Sequence, residues 1–322
     1  MESAILTGDI IDARFKGSLA DIWVARNKKA LFCFKMNVVF KRVGLAIAFS
    51  PRLEALLYEA ARLIRYWRSE LVLIHVGEAS ADAATSLKTL LSKVGLSEQE
   101  VIIRWEHGEP AKRILSVCRE ENVDLIIAGA LKKENLLKYY LGTIARKILR
   151  KADCSVLLLI NPTVEPEPLH SIVVNAEDSP YVEQALEVAC ELGKAEKSNW
   201  LHVVREIKLY GLTMSAADQR SEEGYTQLRN ELVSAEIDNV QKMLNKIPHE
   251  GLKVNIKILS GKSGYELVQF AIRKHADLLI VGAPPRKFSF FDRVFPHDQE
   301  YIFADLPCSL LIVHPRKEAS HG

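Results

Sequence analysis

One series of motifs occurs twice along this chain, and that repetition limits the available folds more than any single residue does. Asp124-Leu-Ile-Ile-Ala-Gly-Ala130 returns as Asp277-Leu-Leu-Ile-Val-Gly-Ala283. Leu73-Ile-His-Val76 returns as Trp200-Leu-His-Val203, and Cys154-Ser155 before aliphatic residues returns as Cys308-Ser309. Three matches in the same order point to an internal duplication. Each copy has to bury its own apolar runs, and 322 residues are enough for two such cores.

Within residues 40–162, strand-like runs at Val43–Phe49, Glu70–Val76, Val101–Trp105, Asp124–Ala128 and Ser155–Ile160 alternate with helical patterns. The helices are expected at Leu53–Trp67, Leu87–Val94 and Ala111–Glu120, with a basic one after Thr143. Runs such as Leu125-Ile126-Ile127-Ala128 are apolar without alternation, as befits strands covered on both faces. Strands and helices in turn imply a parallel sheet with right-handed crossovers. The spacer Pro162–Pro168, with three prolines and two glutamates, reads as a stiff, solvated linker. The second copy covers 169–315 and carries an added polar segment from Arg205 to about Arg229, before a helix bearing Leu232, Ile237, Val240 and Leu244. Residues 1–39 fit neither copy and suggest a hairpin turning at Arg26-Asn27-Lys28-Lys29.

Charge narrows the function classes. With 43 basic and 41 acidic residues, the net charge of +2 gives no global field for nucleic acid or an anionic membrane. No apolar run reaches the roughly 18 residues of a membrane span. The five cysteines are odd in number and form no C-x-x-C pair, so they read as reduced core thiols of a cytoplasmic protein without a zinc site. The N-terminus lacks the basic-then-apolar order of a secretory signal.

In a doubly wound sheet, ligands bind beyond the carboxyl ends of the strands, where the strand order reverses. Ser50 follows the first strand of copy one and Gly129 ends the fourth. Gly142-Thr143 then precedes a helix, and two readings stand side by side. Thr143 is an N-cap and Gly142 a turn residue, or the pair presents helix N–H groups to a phosphate. Lys132, Lys133 and Lys138 would rim such a site, whereas Arg146, Lys147, Arg150 and Lys151 suit a solvated helix face and the helix C-terminus. In copy two the loop runs Gly282-Ala283-Pro284-Pro285, and Pro296-His297 falls where Gly142-Thr143 does in copy one. Proline removes a backbone donor and fixes φ, so that loop cannot cradle phosphate. Phe288, Phe290, Phe291 and Phe295 crowd it, as an internal plug or as a docking patch.

Gly129, two residues, Lys132, nine residues, Gly142 and Thr143 resemble the phosphate loop of the universal stress protein family, Gly-x2-Gly-x9-Gly-[Ser/Thr]. Gly108-x-Pro110-Ala111, Ala152-x-Cys154 and the strand end at Val76 strengthen the resemblance. It implies two domains of the adenine nucleotide α-hydrolase-like α/β fold, and a cytoplasmic stress-response protein binding ATP or AMP in domain 1 through Ser50, Val76, Gly129, Lys132, Gly142 and Thr143. Mg2+ would accompany ATP alone. Two departures stand out. The family's acidic residue at the end of the first strand falls on Ala48, with Glu177 in copy two, and Lys132 replaces the middle glycine. The resemblance also implies that the last strands, Ser155–Ile160 and Ser309–Val313, pair within the chain, and that a protein partner or a second copy binds it. A nucleotide-independent partner of a membrane transporter is an alternative. An ATP-cleaving enzyme of the same fold group is another, but its Ser-Gly-Gly-x-Asp-Ser and His-x-Gly-His elements are absent from the sequence. His75 and His202 sit in predicted strands and read as core histidines, so binding without catalysis is expected.

Overall fold

The computed structural model describes residues 39–132, 139–140, 142–207, 222–261, 264–283 and 306–315. The predicted hairpin of the first 39 residues, Lys133, Lys138 and the stretch holding Pro284, Pro285, Pro296, His297 and the four phenylalanines lie outside these residues, Val39 excepted.

In domain 1, strands β1 (Arg42–Ile47), β2 (Glu70–Val76), β3 (Val101–Glu106), β4 (Leu125–Gly129) and β7 (Ser155–Leu159) alternate with helices α1 (Leu53–Trp67), α2 (Ala81–Lys93), α3 (Pro110–Glu120) and α4 (Thr143–Lys151). A two-stranded hairpin, β5 (Leu131–Lys132) and β6 (Tyr139–Tyr140), lies between β4 and α4. Domain 2 holds β8 (Ser171–Asn175), β9 (Trp200–Ile207), β10 (Val254–Ser260), β11 (Leu278–Gly282) and β12 (Ser309–Val313), with α5 (Val182–Glu196), α6 (Glu222–Leu244) and α7 (Tyr265–Arg273). α2 starts earlier than its apolar residues suggest, because Ser80 caps it by accepting from the Ala83 N–H at 3.1 Å. The polar insertion is shorter than expected: β9 runs through Arg205 to Ile207 and α6 begins at Glu222.

All ten of these longer strands form one sheet in the order β10-β9-β8-β11-β12-β7-β4-β1-β2-β3. Pairing is parallel within each domain. At the centre β12 meets β7 antiparallel, with Leu310 opposite Leu158 and Ile312 opposite Val156. The predicted internal pairing of last strands is therefore the seam of the molecule. Two related hydrogen bonds finish it: His314 N donates to Ser155 Oγ at 3.1 Å, and Ile160 N to Ser309 Oγ at 3.2 Å.

Alternate side chains along each strand point to opposite faces, so the sheet carries two cores. Leu45, Ile127, Leu157, Val174, Ile280 and Leu311 pack against α1, α5 and the end of α6. Ile126, Val156, Leu158, Val173, Leu279 and Ile312 pack beneath α3, α4 and α7. Fully burying each such side chain contributes roughly 1.5–3 kcal/mol. Across the first face Arg62 of α1 pairs with Glu196 of α5 and with Glu59 at 3.0 Å.

Register corrects one of the sequence matches. Lys41 N and Arg42 N donate to Asp124, as His170 N and Ser171 N do to Asp277. Arg42 and Ser171 are thus equivalent, and they pair with Glu70 and Trp200 respectively. His75 consequently corresponds to Arg205 and Val76 to Glu206. The resemblance of Leu73–Val76 to Trp200–Val203 lies three residues out of register, because short apolar runs around a histidine look alike at several offsets.

Candidate functional site

The order 3-2-1-4-5 in each domain places the reversal between β1 and β4 in domain 1 and between β8 and β11 in domain 2. In domain 1, β1 stops at Ile47, and Ala48, Phe49 and Ser50 form an exposed turn. Ser50 N donates to Ala48 O at 2.8 Å, and Ser50 O accepts from Leu53 N at 3.0 Å, starting α1. Arg52 Nη1 donates to Ala130 O at 3.0 Å and so ties the two sides of the crevice.

The predicted site residues fall around this edge in different ways. Val76 ends β2, half-buried against the second core. Gly129 ends β4, where an added Cβ would stand 3.2 Å from Leu56 Cδ1, so its small size lets α1 lie on the sheet. Lys132 pairs with Tyr139 in the hairpin. Gly142 is the buried N-cap of α4 and Thr143 its exposed first residue, which moves the cap one residue back from Thr143. Its dihedrals, φ −60° and ψ 160°, are open to any residue, so backbone strain is not what places glycine here. Because β4 ends at this edge and α4 runs back to the start of β7, the α4 N-terminus must lie at the same edge as Ser50 and Gly129. Gly142 offers no side-chain acceptor to the first-turn N–H groups, whereas Glu109 caps α3 by accepting from Lys112 N at 3.0 Å. That leaves a helix start able to receive an anion.

An aromatic group stands beside it that sequence reasoning missed. Phe49, 41% exposed, lies nearly parallel to Trp105 with ring centroids 6.0 Å apart, and His75 meets both edge-on at 5.0 and 5.2 Å. His75 Nδ1 lies 3.2 Å from Ile47 O. The three residues sit far apart in sequence, on β2, on β3 and beyond β1; only the parallel register, with His75 opposite Trp105, brings them together.

Domain 2 builds the same edge from charges. Arg205, buried, takes the place of His75: its Nη1 donates to Ala176 O at 3.2 Å, and it pairs with Glu236 of α6 at 2.7 Å and with Asp178 at 3.6 Å. Glu206, in place of Val76, accepts from Gly264 N at 2.9 and 3.0 Å and from Leu267 N at 3.1 Å, capping α7. Glu177 does stand one residue beyond Ala176, at the position of Ala48, and is exposed. His202, by contrast, lies near the opposite end of β9. It is buried, with Nδ1 2.9 Å from Asn255 Nδ2, and burial followed by the nearby Lys274 lowers its pKa. Among the described residues there is no cluster of three or more histidine, cysteine or acidic side chains that could hold a metal ion. Nor is any described helix long and apolar enough to cross a membrane.

Comparison with known proteins agrees with this geometry. A universal stress protein of Methanocaldococcus jannaschii is 28% identical over 82 residues, which cover 26% of this chain and 49% of that protein, so the match spans about half of the relative's length. YxiE, a universal stress protein of Bacillus subtilis, is 25% identical over 149 residues, covering 38% of this chain and 99% of YxiE. Among solved structures, a functionally unknown protein from Pseudomonas aeruginosa superposes with a TM-score of 0.64 at 18% identity, covering 86% of this chain and 94% of its own, a likeness of fold. The family model described as "Universal stress protein family" matches residues 40–159 and again 168–314. With two such matches meeting the two halves of one ten-stranded sheet, the chain belongs to the universal stress protein family as a tandem of two of its domains.

Proposed function

We propose that domain 1 binds an adenine nucleotide, ATP or AMP, at the β1–β4 edge, and that the chain is a regulatory binding protein of the stress response with no catalytic step of its own. Domain 2 is its structural partner. The observation that carries this reading is the contrast between the two edges. Among the described residues, domain 1 leaves the Gly142 helix start without a side-chain cap and holds Phe49, His75 and Trp105 at the strand ends of the same edge, whereas domain 2 puts Arg205, paired with Asp178 and Glu236, at the position of His75.

In domain 1 the Gly142 N–H, the first-turn N–H groups that follow it and the Thr143 hydroxyl would receive the phosphates, with Gly129 letting α1 lie close over the strand end beside them. Ser50 and Val76 would lie toward the nucleoside. Ala48 offers no carboxylate to the ribose, so 2′-deoxy-ATP is expected to bind as well as ATP. A bound nucleotide supplies a charge and an occupied state that a partner can sense; Mg2+ would enter with ATP.

Calorimetric titration with ATP, AMP and cyclic dinucleotides, with analysis of the ATP afterwards, tests this. Wild type should bind ATP or AMP saturably and leave ATP intact. A Gly142→Pro, Thr143→Ala variant should bind at least about tenfold more weakly, about 1.4 kcal/mol. Proline fits φ −60° at Gly142, and the variant loses the Gly142 N–H donor. Equal affinity in the two proteins, or hydrolysis abolished by the same substitutions, defeats the reading.

A further inference from the structure

Duplication gives most positions of domain 1 a counterpart in domain 2, and at one buried position the counterparts differ in chemistry. Cys118 on α3 and Cys154, just before β7, are both buried and line the same cavity, and Cys118 is the neighbour that most perturbs the Cys154 thiol. Val123 N donates to Cys118 O at 2.8 Å as Ala276 N donates to Ala271 O at 3.0 Å, so Ala271 is the counterpart of Cys118. Cys308 precedes Ser309 as Cys154 precedes Ser155, and both serines pair at the first residue of the fourth strand of their domain. Cys308 therefore has a methyl group where Cys154 has a second thiol. Both domains fold, so the paired thiols are not a packing requirement of this layer.

The pair is also reached from outside. Cys118 and Cys154 line a cavity of about 350 Å3, along with Lys41, Arg119, Asp124 and Asp153 of domain 1 and Gln184 and His314 of domain 2. That is room for several waters, and hence for a molecule of peroxide size. Cys190 and Cys308 do not line it.

We propose that Cys118 and Cys154 are an oxidisable pair that closes to a disulfide when a small peroxide enters this cavity. One thiol, deprotonated, attacks a peroxide oxygen and becomes a sulfenic acid; the O–O bond breaks and the departing hydroxide leaves as water. The second sulfur then attacks the sulfenic sulfur, the S–S bond forms, and the expelled hydroxide takes the second thiol's proton as another water. Two thiols lose two electrons, and one peroxide gains them. A neighbouring thiol captures the sulfenic acid before irreversible oxidation, which a solitary thiol such as Cys308 does not permit. Cys118, as the neighbouring sulfur, then burial, and the charges of Asp124 and Asp153 push the Cys154 thiol well above its usual range. Reaction is accordingly slow at neutral pH and quickens as the pH rises, because the thiolate is the nucleophile. The bridge would close a loop holding β4, the β5–β6 hairpin and α4. It would anchor that loop to α3 one residue from Ser155, which bonds across the seam.

The test exposes the full chain to hydrogen peroxide at pH 7 and pH 8.5, followed by unfolding, alkylation and peptide mapping by mass spectrometry. The expected product is a single Cys118–Cys154 cross-link, lighter by two hydrogens, reversed by dithiothreitol, formed faster at the higher pH, while Cys190 and Cys308 remain alkylatable. Cys118→Ala installs the domain 2 arrangement and should abolish the cross-link. Ala271→Cys should create a second one, to Cys308. Full alkylation of Cys118 and Cys154 at peroxide levels that oxidise free methionine in the same sample overturns the proposal, as does a bridge from either to Cys33. An Ala271→Cys protein that gains no link counts against the geometry.

Discussion

Replacing Arg62 with alanine should destabilise the molecule more than any other single charge removal at the domain interface. Arg62 is buried, as is Glu196, whose side chain has no exposed surface; Glu59 is 13% exposed. One guanidinium thus serves two carboxylates. At about 4 Å between charge centres and an effective dielectric near 20, each attraction is worth about 4 kcal/mol, about 8 for the two. Desolvating the guanidinium costs several kcal/mol of this, so its removal should cost a net of about 3–5 kcal/mol at neutral pH, a large part of a typical domain stability of about 5–15 kcal/mol. Burial already raises the Glu196 and Glu59 carboxyls against the pull of Arg62, and losing the cation raises them further. An acid whose folded pKa lies above its unfolded value stabilises the fold at low pH and loses that contribution as pH rises. The deficit of Arg62→Ala should therefore shrink between pH 7 and pH 5. Urea unfolding at the two pH values measures it, and Arg62→Met with Glu59→Gln and Glu196→Leu should recover most of the loss. A deficit below about 1 kcal/mol at pH 7, or one that grows as pH falls, would refute the account.

Other perturbations have defined outcomes. Glu206→Ala removes the acceptor for Gly264 N and Leu267 N and should cost about 0.5–2 kcal/mol, with faster amide exchange in the first turn of α7. Glu106, held below the usual carboxylate range first by Arg113 and then by Arg104, stabilises the fold above the unfolded glutamate pKa and loses this as pH falls through its own. Glu106→Gln should thus be weaker than wild type by up to about 1 kcal/mol near pH 7 and equal to it in strong acid, as read by denaturant midpoints. Phe49→Ala should leave stability almost unchanged, since the ring is 41% exposed, and should alter the fluorescence of Trp105, which it stacks upon.

Repetition and unbroken apolar runs determined much from the sequence alone. Strands covered on both faces need continuous Val, Ile and Leu, so β4, β7, β11 and β12 could be placed from composition, and their order implied parallel crossovers. Asp124 and Asp277 marked equivalent strand starts because each carboxylate receives two N–H groups of the neighbouring strand's entry. Tertiary structure alone decided what depends on lateral neighbours. A slip of three residues hid the correspondence of His75 with Arg205, since local similarity does not report which strand lies alongside. The Phe49–His75–Trp105 group, the Arg205 corner, the Arg62–Glu196 pair and the contact of Cys118 with Cys154 join residues from separate elements. Their distances are set by sheet register and helix packing, to which no short stretch of chain has access.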